Sequence, residues 1–216
     1  MINSSCMLRY VAPFAVFSFF SWVQSFGSGP SLFGLYALKI LVTAIVFFYF
    51  FKGSGREIEG GLNGSAVFLG LVTLGIWIIF FEIWPVKTNV IFDPDVFKSL
   101  GIRVGAIFLR CLGSCLLIPL IEEVFWRSFL MRCMISGDFL SVRLGTYTPL
   151  SFWVSVISFA LVHPFSQWGL AGLTGALYGL YLIKTKNLVG CILAHATTNL
   201  GLGIYIIVTG HWELWT

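Results

Sequence analysis

Seven apolar segments, two of them short enough to need tilt or partial burial, dominate this chain of 216 residues, and they restrict it to one class of fold. Hydrophobic residues make up 58% of the sequence and charged residues only 10%, a balance that no water-soluble domain of this length needs. An apolar helix of about 18 or more residues can cross a bilayer because it satisfies its own backbone hydrogen bonds. The predicted fold is therefore all-α, a polytopic transmembrane bundle of about seven to eight helices.

The ends of the apolar segments give approximate bounds for each span. The spans are predicted at Tyr10 to Phe26, Leu32 to Phe51, Ala66 to Trp84, Val104 to Met131, Pro149 to Val162, Gly169 to Ile183 and Leu188 to Val208. An eighth helix arises if Pro119 divides the fourth span, since proline removes a backbone donor inside a helix. The first span is long and has no convincing small-x-small cleavage site, so we interpret it as an uncleaved helix.

Basic residues near the ends of spans favour the cytoplasmic side of a membrane. One alternating set of loops contains Arg9, Lys52, Arg56, Arg132, Arg143, Lys184 and Lys186, while the opposite set mixes Lys87, Lys98 and Arg103 with Asp93 and Asp95. This distribution predicts a cytoplasmic N-terminus. The net charge of +4 is spread along the chain without a basic block, so nucleic acid is not a predicted partner.

A charged cluster interrupts the fourth apolar segment, in the stretch LIEEVFWRSF from Leu120 to Phe129. Each charge at the centre of a bilayer costs about 2.5 to 3.5 kcal/mol, so a cluster within two helical turns requires an explanation. Glu123 and Arg127 are four residues apart and can pair on one helix face, whereas Glu122 points about 100° away and has no such partner. The alternative is that all three residues form one buried ion network that holds the bundle together.

Two histidines lie at a depth in the membrane similar to that of Glu122. His163 follows the fifth span and His195 lies inside the seventh, so a polar pocket among these residues is the favoured interpretation. His195 and Asn199 are one helical turn apart, a spacing that suits two donors directed at one developing oxyanion. Phe159 lies one turn before His163 and could stack on its imidazole ring.

The remaining ionisable and small residues have simpler interpretations. Lys39 could extend its ammonium group to the membrane surface, Glu82 lies near the end of its span, and His211 is expected at the outer interface. The five cysteines show no CxxC spacing and are interpreted as small buried hydrophobic residues. Two stripes of small residues are predicted to pack the sixth and seventh spans together: Ala171, Gly175 and Gly179, and Gly190, Ala194 and Thr198.

Three short motifs occur in order along the second half of the chain. EEVFWR fits E-E-x-x-x-R, FALVH fits F-x-x-x-H, and HATTN fits H-x-x-x-N. Their combination resembles the CPBP family of intramembrane glutamic endopeptidases, also known as type II CAAX prenyl proteases or the Abi family. The resemblance extends from about Val104 to Leu202, and the length and minimal architecture also resemble the CAAX-protease-related proteins that accompany exosortase sorting systems.

The resemblance implies a site and a reaction. Glu122 and His163 would activate water for attack on a peptide bond, while His195 and Asn199 would stabilise the resulting oxyanion. Other motif residues would support the site: Glu123, Arg127 and Phe159. The implied substrate is a membrane-associated protein or peptide, and the implied location is a bacterial inner membrane. The chain would then divide into N-terminal spans with an external loop at 1–103 and a CPBP-like catalytic core at 104–216.

No cofactor is predicted. The sequence lacks the HExxH spacing of zinc proteases, although Glu122, His163 and His195 could form a facial set of zinc ligands as a minority alternative. Two other functions compete with proteolysis. The first is a non-proteolytic scaffold or bacteriocin-immunity-type binding protein of the same fold, which would not need the complete set of motif residues. The second is an ion-coupled transporter with Glu122 as proton carrier, for which the sequence shows no inverted repeat.

Overall fold

The computed structural model describes residues 4–27, 29–52, 58, 60–84 and 92–215. These ranges contain seven helices, joined by turns and short 3₁₀ segments, and no strand. The all-α prediction is therefore confirmed. Parts of the two predicted polar loops lie outside the described residues, including Arg56 and Lys87, which entered the charge argument.

Each helix overlaps one predicted span, although the first begins at Ser4 rather than Tyr10 and the fourth at Leu100 rather than Val104. The helices are α1 Ser4–Gln24, α2 Ser31–Phe51, α3 Gly64–Ile83, α4 Leu100–Cys133, α5 Pro149–Leu161, α6 Trp168–Thr185 and α7 Leu188–Thr209. By length and composition, five of the described helices can cross a membrane, namely α1 to α4 and α7. Helix α5 has 13 residues and rises only about 20 Å, so it is shorter than a bilayer core of roughly 30 Å.

Side-chain caps explain where two of the long helices begin. Asn63 accepts a hydrogen bond from the amide of Ala66 at the start of α3, and Asn187 accepts one from Gly190 at the start of α7. Asn187 Nδ2 also donates to the carbonyl oxygen of Gly61 at 2.7 Å. The caps therefore join the beginnings of α3 and α7 and fix how far each helix extends beside the other.

Helix α4 continues through Pro119 without a break, so the alternative in which this proline divides the fourth span is wrong. Two π-helical stretches, Gly113–Leu117 and Val124–Leu130, interrupt its α-helical hydrogen bonding. At the first stretch the amide of Ile118 donates to Gly113, five residues back, and the wider turn accommodates the proline. The 34 residues of α4 span about 50 Å, so the helix must tilt or project from the bilayer.

The small-residue stripe on α6 packs differently from the prediction. A Cβ atom on Gly175 would lie 3.2 Å from Phe159, and one on Gly179 would lie 3.0 Å from Phe152. Both aromatic residues belong to α5, so the prediction that this stripe packs the sixth span against the seventh is wrong. The stripe instead places α6 close to the helix that precedes His163.

Helix α7 packs most extensively against α3. Thr198 Oγ1 donates to the carbonyl oxygen of Gly70 at 2.8 Å, and a Cβ atom on Gly70 would lie 2.5 Å from the carbonyl oxygen of Ala194. Ala194 directly precedes His195 in the sequence, and Thr198 lies about one helical turn after it. Helix α3 therefore fixes the part of α7 that carries this histidine.

Replacing Gly70 with alanine is expected to lower stability by about 1 to 3 kcal/mol, because the added methyl group would press on the backbone of α7. The matched control is Gly75→Ala in the same helix, where a Cβ atom would meet nothing within 4 Å. Thermal unfolding of both variants in detergent measures the difference. Equal unfolding temperatures for the two variants would show that the close approach of α3 and α7 is not required.

Candidate active site

Glu123 and Arg127 form the ion pair that their spacing predicts. Arg127 Nε lies 3.0 Å from Glu123 Oε2, with 1% and 0% of the two side chains exposed. The N–H bond is not directed at the oxygen, so the contact is an ion pair by distance without an aligned hydrogen bond. The guanidinium group also donates to the carbonyl oxygen of Gly175 and lies over the ring of Phe159. Arg127 therefore joins α4 to both α5 and α6.

The second oxygen of Glu123 holds His195, a contact that the sequence did not predict. His195 Nδ1 lies 2.9 Å from Glu123 Oε1. Because a carboxylate paired with arginine is an acceptor, the imidazole donates through Nδ1–H and keeps Nε2 for another partner. Chemistry gives a reason to expect a second partner for Glu123: a fully buried carboxylate has two oxygens that need partners, and Arg127 contacts only one of them.

His163 lies just beyond the end of α5 and is held by the last turn of that helix. Its Nδ1 lies 2.8 Å from the carbonyl oxygen of Phe159, so this nitrogen is the donor, and Nε2 remains available to another partner. The imidazole ring lies 4.8 Å from the ring of Phe159, as the spacing of the FALVH motif predicts. Trp168 Nε1 donates to the carbonyl oxygen of His163 at 2.9 Å and fixes the backbone.

Asn199 is oriented by the backbone of α4. Its Nδ2 donates to the carbonyl oxygen of Ser114 at 2.8 Å, inside the first π-helical stretch. In that register the amide of Ile118 donates to Gly113, and the next amide belongs to Pro119, which has no N–H. The Ser114 carbonyl therefore lacks a donor within its own helix, and Asn199 supplies one while keeping a second N–H for a ligand.

A cavity of about 720 Å³ brings the predicted catalytic residues to one space. Its wall includes Glu122, His163, His195 and Asn199, from α4, α7 and the turn after α5. Helices α1, α2 and α3 supply much of the remaining wall. Exposed residues such as Trp22 also line it, so the cavity reaches the protein surface near the turn between α1 and α2.

Glu122 differs from its neighbour Glu123 in having no local partner. It is 8% exposed, lines the cavity, and makes no hydrogen bond or ion pair with any residue that the structure describes. The alternative in which Glu122, Glu123 and Arg127 form a single ion network is therefore wrong. Glu122 presents a carboxyl group to the cavity, and the Glu123–Arg127 pair lies behind the cavity wall.

Lys39 does not extend to the membrane surface as predicted. Only 5% of the residue is exposed, and the side chain lines the cavity. Its Nζ donates to Ser21 Oγ at 3.3 Å and lies over the ring of Phe17 at 4.7 Å. Because Lys39 is near the middle of α2, a polar residue on the facing helix can hold its ammonium group inside the bundle. The serines of α1 are the signal in the sequence for this placement.

Glu82 lies near the end of its helix, as predicted, while the placement of His211 at the outer interface stays a prediction. Glu82 is exposed at the end of α3 and accepts a hydrogen bond from Tyr205, and His211 follows α7 with its Nδ1 2.8 Å from Glu213. All five cysteines are free. Cys115 and Cys191 are buried as predicted, whereas Cys6, Cys111 and Cys133 are only half-buried, so the prediction is wrong for these three. None of these residues lines the cavity.

The two cavity histidines have the orientation that metal-binding histidines often show, since each uses Nδ1 for a hydrogen bond and leaves Nε2 available. A zinc site also needs three ligands close together. Within the described ranges, no group of three His, Cys, Asp or Glu side chains is arranged to hold a metal ion. This donor set does not fit zinc in the observed arrangement, and the expected absence of a cofactor stays a prediction.

The three motifs all lie within the part of the chain that matches a protein-family model. Residues 104–201 match the family model described as Type II CAAX prenyl endopeptidase Rce1-like. This region belongs to the Rce1-like family. The predicted CPBP and CAAX protease relationship is thereby confirmed, and the Rce1-like region together with the apolar helices indicates an integral membrane protein of a peptidase family. Neither the curated proteins nor the solved structures contain a match to this chain.

Proposed function

We propose that this Rce1-like protein is an intramembrane endopeptidase of the glutamate type, which hydrolyses a peptide bond of a membrane-associated protein or peptide. The observation that carries the proposal is the unpaired carboxyl group of Glu122 in a cavity shared with His163, His195 and Asn199. A buried carboxyl group costs free energy unless it is paired, so an unpaired one in a cavity is typical of a functional residue.

Glu122 and His163 are the proposed water-activating residues. Glu122 has no competing partner and can accept a proton from a water molecule in the cavity. His163 is fixed through Nδ1, so only its Nε2 can exchange a proton with the reacting groups. In this mechanism the proton passes from water to Glu122 and then, through His163, to the leaving amine.

His195 and Asn199 are the proposed oxyanion donors. Asn199 has one N–H in use at Ser114 and a second one available. His195 can donate through Nε2 only when both of its nitrogens are protonated, because Nδ1–H already donates to Glu123. The Glu123 carboxylate would stabilise that imidazolium form, which gives Glu123 and Arg127 a supporting role in catalysis as well as in packing.

The function is tested by reconstituting the purified protein in liposomes with membrane peptides from a strain that lacks it. Mass spectrometry of the peptides should reveal new termini that form with the wild-type protein and are missing with Glu122→Gln. A protein that binds such peptides without producing any new terminus would be a scaffold. Proton-coupled flux without cleavage would indicate a transporter.

We also propose a bacterial inner-membrane location with a cytoplasmic N-terminus. In support, Arg9 lies near the beginning of α1, Lys52 follows the end of α2, and Lys184 lies at the end of α6. Arg132 lies at the end of α4, and Arg143 lies between α4 and α5. The catalytic core would begin near residue 104, although residues before 103 contribute to the cavity wall. A reporter fused to each terminus tests the orientation.

Strong chelators are expected to leave cleavage unchanged, because the proposed mechanism activates water with Glu122 and uses His195 as a donor. A nitrogen bound to a metal ion could not donate to an oxyanion. Elemental analysis of the purified protein together with a chelation assay measures this. One equivalent of zinc that is lost and regained together with activity would replace the glutamate-type mechanism with a metal-dependent one.

A further inference from the structure

The cavity contains a lysine whose charge is not balanced by an ion pair. Lys39 Nζ is bonded to Ser21 Oγ and lies over the rings of Phe17 and Tyr36, and no described carboxylate is within ion-pair distance of it. Ser21 in turn donates to the carbonyl oxygen of Phe17, so its hydroxyl group orients the lysine and has no proton left for a ligand. An ammonium group has three N–H donors, which leaves Lys39 able to bind an anion.

Arg110 adds a second positive charge to the same part of the wall. It is 8% exposed, lines the cavity, and its guanidinium carbon lies 4.6 Å from the centre of the Tyr36 ring, the ring that Lys39 also contacts. One of its N–H groups donates to the carbonyl oxygen of Trp215. Lys39 and Arg110 therefore lie beside the same ring in the cavity wall.

The facing surface of α1 is suited to a peptide. The helix is mostly apolar, yet its polar residues near this end all line the cavity: Ser18, Ser21, Gln24 and, in the turn that follows, Ser25. The hydroxyl and amide oxygens along this wall can accept hydrogen bonds from the backbone N–H groups of an extended peptide away from water. The same wall leads from the surface near Trp22 towards Glu122.

We propose that Lys39, oriented by Ser21, is an anion-binding subsite that takes a carboxylate of the peptide occupying the cavity, either a chain terminus or an acidic side chain. The inference rests on the proposed peptidase function, which makes a peptide the occupant. The subsite lies on α2, outside the Rce1-like region, and would select among apolar peptides according to their charge. It differs from a counterion role for Lys39 towards Glu122, which would affect all peptides equally.

The experiment measures peptide binding in a Glu122→Gln background, so that the probes are not cleaved. The probes are a fluorescent tetrapeptide of leucine and valine with a free terminal carboxylate, its C-terminal amide, and the same amide with one glutamate. Fluorescence anisotropy in detergent gives their dissociation constants. Lys39→Met removes the charge at similar length, Lys39→Arg keeps it, and Lys184→Met at the exposed end of α6 is the matched control.

At least one carboxylate probe is expected to bind about 10 to 100 times more tightly than the plain amide, as a charge-assisted hydrogen bond provides. The terminal and glutamate probes distinguish the two sources of the carboxylate. Lys39→Met should abolish the preference, and Lys39→Arg and Lys184→Met should retain it. Because loss of an unbalanced buried charge does not weaken packing, Lys39→Met should unfold at or above the wild-type temperature.

Equal binding of all three probes, or a preference that survives Lys39→Met, would overturn the subsite. Competition by dodecyl phosphate that requires Lys39, with no effect of the peptide carboxylates, would assign Lys39 to a lipid phosphate and would also overturn the proposal. Failure of the subsite leaves the peptidase intact, because cleavage by the wild-type protein is measured separately. Failure of the peptidase would instead appear as equal cleavage by wild type and Glu122→Gln.

Discussion

Replacing Glu122 with glutamine is expected to reduce peptide cleavage by about 100-fold or more while the protein remains folded. The side chain has no hydrogen bond or ion pair among the described residues, so an amide of the same shape removes the proposed base without breaking a contact. Cleavage rates in liposomes and thermal unfolding in detergent measure the two effects. Few substitutions in this chain should separate activity from stability so clearly.

The matched control is Glu82→Gln. Glu82 is also a carboxylate on a membrane helix, but it is exposed, lies outside the cavity, and only accepts a hydrogen bond from Tyr205, which an amide oxygen can replace. Its cleavage rate should stay at the wild-type level. A folded Glu122→Gln variant that cleaves as fast as this control would rule out the mechanism proposed here.

Replacing Arg127 with alanine is expected to destabilise the protein by about 3 to 5 kcal/mol. The substitution leaves the Glu123 carboxylate buried without its cation and removes the contacts of the guanidinium group with Gly175 and Phe159. Because Glu123 also holds His195, activity should fall together with stability. The measurements are the yield of folded protein, its unfolding temperature and its cleavage rate.

The double variant Glu123→Gln, Arg127→Gln removes both charges and should recover part of the lost stability, since breaking a buried pair costs more than replacing both members. Arg143→Ala, at an exposed arginine between α4 and α5, is the control and should leave stability unchanged. An Arg127→Ala variant that is fully stable yet inactive would instead place Arg127 among the catalytic residues.

Local spacing predicts those features that depend on one helix. The seven helices follow from apolar length, the Glu123–Arg127 pair follows from the four-residue interval, and the approach of the Phe159 and His163 rings follows from the same interval. In both pairs the two groups lie within about one turn of the same segment, so local backbone geometry brings them together.

Features that depend on two helices were not predicted in the same way. The contact between Glu123 and His195 joins residues that are 72 positions apart, and the burial of Lys39 depends on Ser21 in a different helix. The glycine stripe on α6 was recognised as a packing surface, but periodicity does not tell which neighbour it meets. Single-sequence reasoning identifies an interacting face more easily than the partner of that face.

Asn199 donates its hydrogen bond to the backbone carbonyl oxygen of Ser114, so the side chain at residue 114 takes no part in it. Every amino acid carries the same carbonyl oxygen, so the identity of the side chain at 114 does not specify how Asn199 is aimed. The direction of Asn199 depends instead on Pro119, five positions further along, because proline has no backbone N–H that could compete for the Ser114 oxygen. A proline with no contact to the substrate thus determines the direction of a side chain on another helix. Substitution of Pro119 by any other residue introduces a rival donor into the pairing.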